Sequence, residues 1–211
     1  MKLKVCGMRN PDNIAQVGML NPDFMGFIFY PKSKRYVGED FDIVTFESLS
    51  NSINKVGVFV KENPSTILQR GKKYKLDYVQ LHGGESLEDC RFLRESGIKV
   101  VKVISVHDSL AIDELERFSG VVDFFLFDTK SQNYGGSGLK FNWSILEKYE
   151  GDVPYFLSGG IDIEDIEDVF KLDLRGLFCL DVNSKFEISP GLKDVDKVEK
   201  LVLKLDRGLL N

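Results

Sequence analysis

The stretch PYFLSGGIDIEDIEDVFKLDLRGLFCLDVNS, residues 154–184, decides the fold. It opens on a short apolar run that stops at two glycines. Ile163, Ile166, Val169 and Phe170 then recur at helical spacing. A second apolar run, GLFCLDV (176–182), follows. Each run is apolar on both of its faces, as a strand is when its sheet is covered on both sides. A strand, a helix and a second such strand make one β-α-β unit, whose strands lie parallel.

Outward from this unit the same alternation runs through the chain. LKVCG (3–7), FMGFIFY (24–30), KVGVFV (55–60), DYVQLHG (77–83), KVVKVISV (99–106) and FFLFD (124–128) read as the six earlier strands. Asn10-Pro11 and Pro64 mark helix starts. A short helix is expected around Trp143, and Val195, Val198, Leu201, Val202 and Leu205 form the stripe of a last helix. Eight strands in strict alternation with eight helices predict one (β/α)8 TIM barrel spanning 1–211 as a single domain. The alternative, an open doubly wound sheet, finds no GxGxxG after its first strand.

Composition narrows the function. The chain has 211 residues, 43% of them hydrophobic, and a net charge of -5. That mild acidity, with no basic run longer than GKKYK, points away from nucleic acid and anionic membranes. No apolar run reaches the ~20 residues of a membrane span, and the N-terminus lacks a signal-peptide core, so the protein is expected in the cytoplasm. Cys6, Cys90 and Cys179 show no CxxC spacing, and His82 and His107 lack ligand-like spacing, so neither a disulfide nor a metal is expected.

In such a barrel the chemistry sits at the C-terminal strand ends. Cys6, Arg35, Gln80, His82, Asp128, Ser158-Gly159-Gly160 and Asp181 all fall there. Strand periodicity puts Gln80 and His82 on one face, and Cys179 and Asp181 on one face. Gly159-Gly160 and, on the next loop, Asn183-Ser184 suit an anion, because glycine lets backbone N–H groups come close. YGGSG (134–138) lacks the ending of a nucleotide loop and reads as a lid or an exposed loop. Asp128 is poorly placed to cap the next helix. Asp181 could order the mouth, and His82 could be structural or catalytic. Cys6 itself remains open between a buried filler and a nucleophile or base.

KVCGMRNPDNI, GFIFYPKSKRYV, VGVFV, VQLHGGE, FLFDTK, YGGSGLKFNW, LSGGI and LDVNSKFEISPGLKD together resemble phosphoribosylanthranilate isomerase of tryptophan biosynthesis, from Lys4 to Asp194. The resemblance implies a TIM barrel and a cofactor-free Amadori rearrangement of an aminoaldose phosphate. It implies that Cys6 is the general base, Asp128 the general acid and Arg35 the holder of the anthranilate carboxylate. His82 and Asp181 are expected to bind substrate, and Gly159, Gly160, Asn183 and Ser184 its phosphate. Lys185-Phe186 departs from the glycine and small aliphatic residue that many members carry there. The expected partner is a small phosphorylated substrate, with the protein a monomer or homodimer. The alternatives are the related isomerase of histidine biosynthesis, where an aspartate is expected at position 6, and a non-catalytic barrel that binds a phosphorylated metabolite.

Overall fold

The computed structural model describes residues 1–39, 41–129 and 140–207. Eight parallel strands close into a barrel in sequence order: β1 (Lys2–Val5), β2 (Phe24–Ile28), β3 (Asn54–Phe59), β4 (Tyr78–Leu81), β5 (Lys99–Val106), β6 (Phe124–Thr129), β7 (Tyr155–Leu157) and β8 (Leu177–Val182). Closure is made by β1 on β8, where Lys4 pairs with Asp181.

The outer layer departs from eight plain helices. Seven α-helices are present among the described residues: α1 (Pro11–Met19), α2 (Ile43–Glu47), α3 (Pro64–Lys73), α4 (Leu87–Glu95), α5 (Ile112–Phe118), α6 (Ile166–Lys171) and α7 (Val195–Arg207). The element expected at Trp143 is a 3-10 helix, Trp143–Lys148. Asn142 caps it by accepting from Ser144, and it is too short to gain a full α-helical ladder. A second departure follows β8. A two-stranded hairpin, β9 (Glu187–Ser189) and β10 (Leu192–Lys193), turns at Pro190-Gly191 before α7 begins. The helix starts are as expected: Asn10 and Asn63 each accept a backbone N–H two or three residues on, ahead of Pro11 and Pro64.

Side chains fill the barrel in layers. Phe24, Tyr78, Phe124, Phe156 and Phe178 meet where the strands begin, with Phe124 and Phe178 centroids 4.9 Å apart. Val56, Val101, Val103 and Cys179 lie in the same inner cluster. Every second residue of a strand faces inward, so β4 carries Tyr78, Gln80 and His82 up one wall. β6 likewise carries Phe124, Leu126 and Asp128. The apolar floor therefore gives way to polar side chains towards the C-terminal ends.

Candidate active site

One cavity opens at those ends. Cys6, Arg35, His82, Asp128, Gly159, Gly160, Asp181, Asn183 and Ser184 all line it, so the nine site residues expected from the sequence converge. Ile28, Val58, Val60 and Leu126 supply an apolar wall. The YGGSG segment lies outside the described residues. Among the described residues, no group of three His, Cys, Asp or Glu side chains is placed to hold a metal ion, and no helix is long and apolar enough to cross a membrane.

Cys6 follows the last residue of β1, and its N–H donates to the Val182 carbonyl at 2.9 Å, extending the barrel ladder by one bond. Gly26 leaves room for the thiol: a Cβ there would lie 2.7 Å from Cys6 Sγ. Beneath Cys6 lies Lys4, fully buried. Its Nζ donates to Gln80 Oε1 at 2.8 Å and Asp181 Oδ1 at 3.0 Å, and the Cys6 thiol lies beside the same ammonium. Burial opposes the Lys4 charge, yet Asp181 and Cys6 hold the ammonium above its ordinary range. Burial pushes the Cys6 thiol up, and the Lys4 cation works against that push.

Asp128 stands on β6, three strands from β1 around the closed ring. Burial, with the Asp181 charge adding to it, pushes its carboxyl up to about 6. The Thr129 N–H, 2.9 Å from Oδ1, opposes that shift. About a tenth of the molecules would then carry the acid form at pH 7, against about one in a thousand for an ordinary aspartate. His82 Nε2 lies 3.5 Å from Asp128 Oδ2. Burial and the Lys4 and Lys102 cations push His82 down to about 4, so the imidazole is neutral at pH 7.

The loops after β7 and β8, which lie between β6 and β1 in the ring, suit an anion. Gly159 and Gly160 adopt φ values of 94° and 66°, open to glycine and strained for most other residues. A side chain at Gly159 would also strike Thr129 Oγ1 at 2.4 Å. Asn183 is oriented by Lys193, whose Nζ donates to its Oδ1 at 2.8 Å. At the departure noted in this loop, Phe186 is buried in the core, and Lys197 Nζ donates to the Lys185 carbonyl at 2.8 Å.

Arg35 reaches the cavity from the loop after β2, and its guanidinium is gripped by Glu187. Lys4, Glu187 and Lys193 are the residues that the sequence alone did not single out. For Lys4 a signal existed, since it lies two residues before Cys6 on the same strand face. Pro190-Gly191 marked a turn that could have revealed the hairpin. Nothing local pointed to the pairing of Glu187 with Arg35.

A family model described as N-(5'phosphoribosyl)anthranilate (PRA) isomerase matches residues 3–204. The N-(5'-phosphoribosyl)anthranilate isomerase of Parabacteroides distasonis is 43% identical over 203 residues, covering 96% of this chain and 92% of the relative. The solved phosphoribosyl anthranilate isomerase of Thermotoga maritima is 36% identical, with a TM-score of 0.84 and 99% of each chain covered. Another solved isomerase, in complex with reduced 1-(o-carboxyphenylamino)-1-deoxyribulose 5-phosphate, is 31% identical. It has a TM-score of 0.82 and covers 98% of this chain and 99% of its own.

Proposed function

The chain belongs to the N-(5'-phosphoribosyl)anthranilate isomerase family, an aldose-ketose isomerase of tryptophan biosynthesis, and we propose that Cys6 and Asp128 carry its acid-base chemistry. The substrate is N-(5-phosphoribosyl)anthranilate and the product 1-(2-carboxyphenylamino)-1-deoxyribulose 5-phosphate. The observation that carries the assignment is the pair itself: a thiol just past the end of β1 and a raised carboxyl on β6, both lining one cavity.

Asp128 donates its proton to the furanose ring oxygen. The C1–O bond breaks as the anilino nitrogen lone pair forms the C=N bond of an iminium. Cys6, as thiolate, takes the proton from C2, and the electron pair left behind makes the enolamine. Tautomerisation of the enol then gives the ketone. The iminium cation acidifies C2 and is itself a counter-charge for the thiolate, so the thiolate form is most populated when the intermediate is present. His82, neutral, sets the orientation of Asp128. Asp181 offers its second carboxylate oxygen to a sugar hydroxyl while the first holds Lys4. Arg35 takes the aromatic carboxylate, and Gly159, Gly160, Asn183 and Ser184 take the phosphate.

The protein needs no cofactor for these steps, acts in the cytoplasm, and forms one catalytic domain over 1–211. The decisive experiment is turnover with freshly synthesised phosphoribosylanthranilate, followed by loss of its fluorescence. Turnover of the doubly phosphorylated histidine-pathway substrate in its place, or of neither, would overturn the assignment.

A further inference from the structure

A guanidinium has two edges that can each hold a carboxylate. Glu187 occupies one of them on Arg35. Nε lies 2.9 Å from Oε1 and 3.0 Å from Oε2, and Nη2 lies 2.7 Å from Oε2. The other edge, formed by Nη1 and the second Nη2 proton, accepts no such partner among the described residues. Glu187 does not itself line the cavity, whereas Arg35 does.

Glu187 is held from behind. Lys193 Nζ donates to its Oε1 at 2.8 Å, and the Gly191 N–H to the same oxygen at 3.0 Å. Burial works against the Glu187 charge, but Arg35 and Lys193 hold its carboxyl below the ordinary range. The same Lys193 ammonium reaches Asn183 Oδ1 at 2.8 Å on the phosphate side. Asn13, buried in α1, fixes the Lys193 backbone at both ends, through 2.7 and 3.0 Å bonds. Gly7 marks how tightly the two sides meet, since a Cβ there would stand 2.7 Å from both Arg35 Cδ and Asn183 Oδ1.

We propose that Glu187 is a positioning residue: it fixes the Arg35 guanidinium so that its outer edge meets the substrate's aromatic carboxylate, and through Lys193 it sets that edge at a constant distance from the phosphate loop. The proposal rests on Arg35 as the carboxylate holder. Its consequence is selective. Loss of the Glu187 carboxylate frees the guanidinium to rotate, which weakens ligands that use the edge and spares those that do not. A general loosening of the loop would weaken both alike.

The test uses two reduced product analogues, 1-(2-carboxyphenylamino)-1-deoxyribitol 5-phosphate and the same compound without its carboxyl, titrated calorimetrically against the full chain. Glu187→Gln should weaken the carboxylated analogue about tenfold and the other less than about twofold. In turnover it should raise KM more than it lowers kcat. Equal weakening of both analogues would overturn the proposal. Glu187→Asp, which keeps the charge and draws it back by one methylene, serves if the glutamine variant fails to fold; it should show the same selectivity at about threefold. Arg35→Met separates the two levels. If it is selective while Glu187→Gln is not, only the proposal fails. If Arg35→Met is itself unselective, the reading of Arg35 fails and the proposal with it.

Discussion

Lys4 Nζ lies 3.0 Å from Asp181 Oδ1 inside the barrel, and the two residues are register partners on β1 and β8. The pair is neutral as a whole, so ionising the neighbouring Cys6 adds a lone negative charge to a buried site. That is why the thiol stays up in the free protein despite a cation at its side. The strand pairing that closes the barrel therefore also sets the electrostatics of the Cys6 thiol.

Lys4→Met removes the cation and leaves Asp181 unpaired. The Cys6 thiol should titrate at least about one pH unit higher, within the range expected for loss of a close opposite charge. A thiolate absorbance titration, taken as a difference against the Cys6→Ala protein, measures this. The folded state should lose about 3–5 kcal/mol through the unpaired carboxylate. An unshifted titration in the folded variant would remove Lys4 from the chemistry.

Cys6→Ala should abolish turnover while binding of the carboxylated product analogue stays within about tenfold, because an interaction specific to the transition state is lost. Alkylation of the thiol should inactivate, and the analogue should protect. Substantial residual turnover would refute the assignment of the base.

Asp128→Asn keeps the shape and removes the proton. A loss of at least about 10²-fold in kcat is expected, the lower end of general-acid contributions. The pH dependence has a definite sign. Asp128 is pushed up to about 6 and Cys6 above its ordinary range, so the acid titrates below the base. Below about 6, Asp128 is saturated and kcat/KM falls with the thiolate. Between the two values the loss of acid and the gain of thiolate cancel, giving a plateau, and above the thiol value the rate falls again. In Asp128→Asn the residual rate should simply climb through the former plateau. A retained plateau would mean that another group delivers the proton, with His82 the first to examine.

Gly26→Ala would place a methyl 2.7 Å from Cys6 Sγ and 3.1 Å from its Cα. Overpacking of this kind costs about 1–3 kcal/mol, and here the displaced atom is the sulfur of the proposed base. Thermal denaturation should show a lower Tm, and kcat should fall with it. Normal values for both would show that the thiol has room to move.

Much of this molecule was legible one residue at a time. Apolar runs between helical stripes announce a covered parallel sheet, because a strand buried on both faces has few positions for a polar side chain. The polar residues that break those runs, Gln80-x-His82 and Cys179-x-Asp181, declare by their spacing of two that they share a face. The nine site residues could be chosen because barrel chemistry collects where strands end. The 3-10 helix at Trp143 was less visible, since a single capped turn carries too little periodicity to separate one helix type from another.

The sequence alone thus determined the barrel and the kinds of group at its mouth, because periodicity and punctuation are local and survive in a linear string. Pairings were decided only by the tertiary structure. Lys4 meets Asp181 across 177 positions and Arg35 meets Glu187 across 152. Such contacts arise from strand register and from a hairpin folding back over the mouth. Charge and proton affinity follow from those contacts and from the exclusion of water. The same Asp that is an ordinary carboxyl in a string becomes a weaker acid only when β6 places it inside a closed ring.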